Sequence, residues 1–300
     1  MKGVIGKYIN GNYKVILMND GTKIRMSEDG TFIPSFAENC DVKITDRCDG
    51  GCEFCYEGCT KDGKHGDILN AKFIDTLHPY TELALNGNDL SHPDLIPFLE
   101  KLKEKKVVAN MTVNQKHFGK YYDFIRDLID RKLIFGLGVS LVKATPFFIE
   151  QIAPIDNAVI HVINGVLTSK DVEILSDNKL KMLILGYKQL RRGVDYYENN
   201  SEEITNNQKW LYDNLEEIAK HFEVVSFDNL AIEQLEVKRM MSEEEWEEFY
   251  MGDDGTVTFY IDMVANKFAK NSLSLDRYDL LDSIDDMFNF ILKQNEKIAV

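Results

Sequence analysis

The sequence predicts an α/β fold, a partial (β/α)6 barrel with a small β-hairpin before it and a β/α extension after it. Two observations lead to this prediction. Apolar strand-like segments alternate with helix-like segments in six steps over about 150 residues, and neighbouring parallel strands need crossover helices between them. A closed eight-stranded barrel usually takes about 250 residues, so we expect an open, six-stranded one.

Residues 1–36 are predicted to form the hairpin, as an N-terminal flap. Asn19-Asp20-Gly21 is a strong turn signal between two strand-like runs, Tyr13 to Met18 and Thr22 to Met26. Residues 37–240 are predicted to form the barrel, and residues 241–300 an extension that packs on it. The predicted barrel strands lie at 42–45, 82–85, 107–113, 135–141, 158–163 and 180–187, and the helices between them at 67–77, 93–103, 121–131 and 169–175.

The chain after the sixth strand is more polar. Residues 196–207, rich in Glu, Asn and Ser, are predicted to form a loop. The remaining elements are predicted from their apolar periodicity and from the capping residue Ser242, followed by an acidic first turn. They are a helix at 210–222, a strand at 223–227, helices from 229 and 242, a strand at 256–264 and a helix at 280–297.

Composition excludes several classes of protein. The chain has 300 residues, 44% hydrophobic and 28% charged, which is typical of globular proteins. No apolar run approaches the ~18 residues of a membrane span, and Met1-Lys2-Gly3 is not followed by a signal-like segment. A formal charge of −15 argues against binding a nucleic acid polymer. We therefore expect a cytoplasmic protein with reduced thiols and no membrane partner.

Three of the five cysteines, Cys48, Cys52 and Cys55, form a tight cluster after the first barrel strand. In a reduced protein such a cluster favours a zinc or iron–sulfur site over disulfides. Structural zinc takes four ligands, usually as two separated pairs, and no second pair follows. Three thiolates on a four-iron cluster leave one iron open to a substrate or cofactor. Cys59 gives the mirror spacing with Cys52 and Cys55 and is the alternative third ligand.

The pattern C-x3-C-x2-C, with Phe54 and Tyr56 beside the last cysteine, resembles that of the radical S-adenosylmethionine (radical SAM) superfamily. The resemblance implies a TIM-like partial barrel and a [4Fe–4S] cluster on Cys48, Cys52 and Cys55. It further implies that SAM binds the open iron and is reductively cleaved to a 5′-deoxyadenosyl radical, which abstracts hydrogen. An external electron donor, flavodoxin or ferredoxin-like, would supply the electron.

Ligands of parallel β/α folds collect at the carboxyl ends of the strands. Asn86-Gly87-Asn88-Asp89 falls where the family has a Gly-Gly-Glu-Pro motif that holds the SAM amino group. In this chain Asn86 replaces the first glycine, Asn88 the glutamate and Asp89 the proline. The same run also suits a turn that caps the following helix.

Further contacts with SAM are expected along the next strands. Asn110, Thr112 and Asn114 alternate and should share the inward face of the third strand, where each unsatisfied polar group costs about 1–3 kcal/mol. A polar core satisfied by the protein itself is the alternative. The resemblance implies that Ser140 contacts the SAM ribose and that Asn164 lies in the motif that helps seat adenine.

A basic run follows the sixth strand. Lys188, Arg191 and Arg192 could hold the SAM carboxylate or an anionic group of the substrate, and a solvated loop is the alternative. His161, inside an apolar strand, is expected to be a hydrogen-bonded core residue more often than a ligand contact.

The resemblance leaves the substrate open. Cys59 could donate a hydrogen atom, as a cysteine does in some radical SAM epimerases, although a structural role is the default for Cys59 and Cys40. A peptide or protein is the preferred substrate, because the barrel side is uncovered and the acidic surface disfavours nucleic acid. The alternatives are a nucleoside or small metabolite held by Arg191 and Arg192, a glycyl-radical activase, and a non-enzymatic, metal-bearing structural module.

Overall fold

The computed structural model describes residues 3–88, 90–250 and 252–298, which form two sheets flanked by helices. The strands are β1 Val4–Asn10, β2 Tyr13–Met18, β3 Lys23–Met26, β4 Asn39–Lys43, β5 Glu82–Asn88, β6 Val108–Asn114, β7 Gly136–Ser140, β8 Ala158–Ile163, β9 Lys181–Leu185, β10 Val224–Phe227, β11 Thr258–Asp262, β12 Lys267–Ala269 and β13 Tyr278–Asp279. The α-helices are α1 Leu95–Glu104, α2 Gln115–Lys120, α3 Tyr122–Asp130, α4 Pro146–Ile152, α5 Ser169–Leu175, α6 Arg192–Ala219, α7 Asn229–Gln234, α8 Glu243–Phe249 and α9 Ile284–Ile298.

The large sheet has the order β10-β9-β8-β7-β6-β5-β4-β11-β12-β13. All neighbours from β10 to β11 are parallel, and β4 to β10 follow one another in chain order. Strand–helix repeats produce this arrangement because each crossover returns the chain to the next position in the sheet. The α/β prediction is thereby confirmed. In the described residues β10 and β13 are the two free edges, so the sheet is open, and its curvature into a partial barrel stays a prediction.

The six predicted barrel strands correspond to β4 to β9, and the fifth matches β8 residue for residue. The extension contributes to the same sheet in a way that the sequence did not indicate. Its strand β11 pairs with β4 in parallel, from Thr258 beside Asn39 to Asp262 beside Lys43. The extension therefore continues the sheet beyond the first barrel strand.

Side-chain alternation gives β5 and β6 one buried apolar face and one half-buried face. On β5, Leu83 and Leu85 are both 1% exposed in the core, whereas Ala84 and Asn86 are half-buried on the other face. The same alternation runs along β6, as expected for strands with one face against helices. On β5 and β6 the face away from the core therefore carries half-buried polar side chains.

Two local predictions were wrong. Residues 196–207 are helical within α6, Arg192–Ala219, which is interrupted at Asn200. The Asn200 side chain donates to the carbonyl of Tyr196 at 2.9 Å, and Ile204, only 1% exposed, anchors this polar stretch to the core. The helix predicted at 67–77 is only a short 3-10 helix, Lys72–Thr76.

The three-stranded sheet packs at the amino ends of the barrel strands, through the fully buried Glu38 that precedes β4. The Glu38 carboxylate accepts hydrogen bonds from Tyr13 at 2.7 Å and from Arg25 at 2.6 and 2.8 Å. Lys23 pairs with Glu82, at the start of β5, at 2.8 Å. Burial opposes ionisation, but Arg25 and Lys23 hold the pKa of Glu38 below its usual range. This sheet therefore lies opposite the carboxyl ends of the strands, and the domain boundaries stay a prediction.

None of the helices in the described ranges combines the length and the apolar character needed to cross a bilayer.

Candidate functional site

Four of the five cysteines, all except Cys40, lie on a loop, residues 46–60, that follows β4 and is called the cysteine loop below. Its two ends are joined by backbone hydrogen bonds, from Cys48 N to Thr60 O at 2.9 Å and from Thr60 N to Asp46 O at 3.1 Å. This closure places Cys48, Cys52 and Cys55, all half-buried, near the carboxyl end of β4. The three cysteines therefore lie where the sequence predicts them, after the first barrel strand.

Nitrogen donors reach the sulfur atoms of Cys48 and Cys52. The backbone N–H of Gly50 donates to Cys48 Sγ at 3.4 Å, and Asn114 Nδ2, at the end of β6, donates to Cys52 Sγ at 3.3 Å. Such hydrogen bonds stabilise thiolates and tune iron–sulfur clusters. A Cβ at position 50 would lie 3.1 Å from His117 Cε1 and 3.3 Å from Cys48 Sγ, so a side chain there would require a small shift of these neighbours.

Cys55 and Cys59 form a hydrogen-bonded pair. The Cys59 thiol, helped by the Arg192 guanidinium, lowers the pKa of Cys55 against the effect of burial. The same contact, together with burial, raises the pKa of Cys59, whose sulfur also accepts a hydrogen bond from Asn88 at 3.4 Å. Cys59 is 5% exposed and Cys55 is half-buried. This difference favours Cys55 as the more accessible thiolate and Cys59 as the buried thiol that donates a hydrogen bond to it.

The donor chemistry fits an iron–sulfur cluster, because such clusters are held by cysteine thiolates and these half-buried thiols receive N–H donors. Among residues 3–88, 90–250 and 252–298, however, no three His, Cys, Asp or Glu side chains are grouped so that they could hold a metal ion. The [4Fe–4S] cluster on Cys48, Cys52 and Cys55 therefore stays a prediction. Cys40 is buried on β4, where burial raises its pKa, as expected of a structural cysteine.

Asn86 and Asn88, at the end of β5, hold the base of the cysteine loop. Asn86 accepts from the Ile44 N–H at 2.7 Å and donates to Thr45 O at 3.0 Å. Asn88 donates to Thr45 O at 3.1 Å and to Arg47 O at 3.0 Å. Both side chains thus have protein partners, and their contact with SAM stays a prediction.

Gly87 is required by close packing, because a Cβ on it would lie 2.8 Å from the Met111 side chain. Asn88 has a positive φ of 48°, and the pairing of β5 with β6 is irregular here. The backbone at the predicted SAM motif therefore departs from regular strand geometry, with Asn88 in the left-handed region. Asp89, the last residue of that motif, lies outside the described residues.

The inward residues of β6 have different partners. Asn110 is satisfied by the protein, since it donates to Glu82 at 2.9 Å and accepts from the Gly136 N–H at 2.9 Å. Thr112 lies opposite Gly138, where a Cβ would come within 2.7 Å of its hydroxyl. Asn114 reaches the cysteine loop. The side chain of Asn110 therefore has its hydrogen-bond partners within the protein and does not need a ligand.

Ser140 and Asn164 lie at the ends of neighbouring barrel strands. Ser140 is half-buried and is the register partner of Asn114. Asn164 is 1% exposed and donates to Gln234 at 3.0 Å, while its buried Oδ1 has no hydrogen-bond partner in the described part of the chain. His161, next to Ser140, has its pKa lowered to about 4 by burial. Their roles toward SAM stay predictions.

The basic run reaches the cysteine loop. Arg191 donates to the Glu57 carbonyl, and Arg192 donates to the Cys59 carbonyl at 3.0 Å. The Lys188 ammonium lies 4.4 Å from the centre of the Tyr56 ring. These contacts show the cations as supports of the loop, and an additional role in holding an anion stays a prediction.

Sequence reasoning missed two groups that hold the loop. Lys43 is 3% exposed and pairs with Asp46 at 2.5 Å, Glu57 at 2.8 Å and Asp262 at 3.7 Å. Its position as a lone cation inside an apolar strand could have indicated a buried pair. The second group is Lys116 and His117, which follow Asn114 at the start of α2. Their contacts with the cysteine loop join residues more than 60 positions apart in the chain, so no local sequence pattern indicates them.

Comparison with known proteins gave matches in structure only: no protein-family model and no curated protein matches the sequence. The structure of Streptococcus suis SuiB is similar at a TM-score of 0.58 and 11% identity, over 95% of this chain and 86% of that one. SuiB bound to the precursor peptide SuiA is similar at 0.55 and 14%, over 85% of this chain and 65% of that one. SuiB bound to S-adenosylmethionine is similar at 0.50 and 13%, over 85% of this chain and 64% of that one.

SuiB is a radical SAM enzyme, so the resemblance predicted from the cysteine motif is confirmed as a likeness of fold. The chain spans about 65% of the length of the peptide-bound SuiB chain.

Proposed function

We propose that this chain is a radical SAM enzyme in which Cys48, Cys52 and Cys55 hold a [4Fe–4S] cluster that binds SAM. The observation that supports it most is the position of C-x3-C-x2-C: half-buried thiols after the first strand of a parallel sheet whose fold is similar to that of SuiB. Ligands of parallel β/α folds collect at that end of the strands.

When bound, the reduced cluster would supply the one electron that cleaves a C–S bond of SAM into methionine and a 5′-deoxyadenosyl radical, and this radical would take a hydrogen atom from the substrate to form 5′-deoxyadenosine. The chain's own residues hold and tune the site. Gly50 and Asn114 donate to two ligand sulfurs, and Arg192 favours the thiolate form of Cys55. Thr112 and Ser140, both half-buried on the face away from the core, are our candidates for contacts with SAM.

We infer that the substrate is a peptide and that a flavodoxin or ferredoxin-like protein supplies the electron. SuiB has been crystallised with a precursor peptide, which supports this substrate class. The large sheet is open in the described residues, and its amino end is covered by the N-terminal sheet through Glu38. A peptide would therefore approach from the carboxyl end or the open side. Arg191 and Arg192 contact the cysteine loop, so no observation favours the small-metabolite alternative.

The test of the cluster is anaerobic reconstitution with iron and sulfide. The wild-type protein should turn brown and bind about four iron atoms per chain, whereas Cys52→Ala should bind far less. Cys40→Ala is the matched control, because Cys40 lies in the core of β4, and it should retain the iron. A colourless wild-type protein that binds zinc alone contradicts the proposal.

The peptide assignment needs its own test. Candidate peptides with deuterated side chains are incubated with reconstituted protein, SAM and a reductant. Transfer of deuterium into 5′-deoxyadenosine supports a peptide substrate. Transfer from a nucleoside but from none of the peptides overturns it.

A further inference from the structure

The last residue of β6 and the first turn of α2 contact the cysteine loop at three points. The three residues involved, Asn114, Lys116 and His117, are called the clasp. Asn114 caps α2 by accepting from the Lys116 N–H at 2.9 Å, and its amide also donates to Cys52 Sγ at 3.3 Å. One side chain therefore ties the start of a helix to a ligand sulfur. The second contact runs from Lys116 Nζ to the Gly50 carbonyl at 3.3 Å.

His117 makes the third contact. It is 3% exposed, and its Nε2 lies 2.5 Å from Asp49 Oδ1, next to Cys48. A Cβ on Gly50 would lie 3.1 Å from the imidazole and 3.3 Å from Cys48 Sγ, so the ring, the glycine and the sulfur are packed together. Among the residues that the structure describes, the other ring nitrogen, Nδ1, is buried and has no hydrogen-bond partner. A buried imidazole with one unsatisfied nitrogen costs free energy, so stability alone does not account for this arrangement.

We propose that the clasp positions Cys48 and Cys52 for the cluster, with His117 as a positioning residue that acts through Asp49 and Gly50. The inference rests on the proposed function. Ligands held in place before binding lose less conformational freedom when the cluster forms. Groups that orient metal ligands typically contribute 10–100-fold to metal affinity.

The test compares two variants of the positioning residue. His117→Phe keeps the ring volume and removes the contact with Asp49, whereas His117→Gln keeps a side-chain N–H donor. Reconstituted His117→Phe should lose iron to a chelator about 10–100-fold faster than wild type, and His117→Gln should recover most of the difference. Asp49→Ala, at a half-exposed side chain, should match His117→Phe, and the double variant should add little, because both remove one contact.

His78→Phe is the matched control. His78 also pairs with an aspartate, Asp285, at 2.9 Å, in a contact that does not involve the cysteine loop. This variant should lose iron at the wild-type rate. If His117→Phe and Asp49→Ala lose iron no faster than His78→Phe, the proposal is overturned.

A second measurement does not require a cluster. In iron-free protein, the rates at which Cys48 and Cys52 are alkylated, followed by mass spectrometry, should rise in His117→Phe and stay unchanged in His78→Phe. Unchanged rates in both variants contradict the clasp. If the wild-type protein binds no cluster at all, the proposed function fails, while the alkylation rates still decide whether the clasp positions the cysteines.

Discussion

Replacing Lys43 with methionine should destabilise the protein strongly. Lys43 is a buried cation whose side chain, 4% exposed, lies within 4 Å of the carboxylates of Asp46, Glu57 and Asp262. Burial opposes its charge, but Glu57 and Asp46 raise its pKa, so the ammonium is charged at neutral pH. Methionine leaves these carboxylates without that cation. Removal of one partner from a buried ion pair costs about 3–5 kcal/mol.

The assay is urea unfolding of iron-free protein, followed by circular dichroism. Lys209→Met is the matched control, because Lys209 pairs with Asp213 four residues later on α6 and is 74% exposed. Exposed pairs of this kind contribute only about 0.3–0.5 kcal/mol. If the free energy of unfolding of Lys43→Met is no lower than that of Lys209→Met, the account of the buried pair is refuted.

Three other perturbations test the site. Cys59→Ala should retain most of the iron after reconstitution and Cys48→Ala should lose it; the reverse result in iron analysis makes Cys59 the ligand. Burial lowers the pKa of His161 to about 4, and the unfolded ring titrates near 6.5, so the folded protein should lose stability as the pH falls from about 6.5 to 4; thermal unfolding of His161→Gln should depend less steeply on pH, and an unchanged slope contradicts this. Asn86→Leu removes both side-chain contacts to the base of the cysteine loop and should lower the free energy of unfolding by about 1–3 kcal/mol. If the loss is smaller than that of Asn199→Leu, at an exposed position of α6, Asn86 does not support the loop in this way.

Local spacing and periodicity were sufficient to predict much of the fold. The alternation of strands and helices gave the parallel order β4 to β9, and Ala158–Ile163 was predicted residue for residue. The cysteines were placed after the first barrel strand, because a loop that follows a parallel strand lies at its carboxyl end.

Features set by distant contacts could not be predicted in this way. β11 joins β4 across more than 200 residues, and nothing in either strand specifies its partner. Residues 196–207 have a loop-like composition, and the burial of Ile204, which makes them helical, becomes visible only in the fold. His117 is likewise indistinguishable from any core histidine until the structure places it against Asp49.

Formation of 5′-deoxyadenosine tests the central claim most directly. Reconstituted protein is reduced in the absence of oxygen with SAM present, and the products are separated by chromatography. Wild type and Cys40→Ala should release 5′-deoxyadenosine, whereas the triple alanine variant of Cys48, Cys52 and Cys55 should release none. Absence of the product from cluster-loaded wild type, or equal amounts from the triple variant, contradicts the assignment of this chain as a radical SAM enzyme.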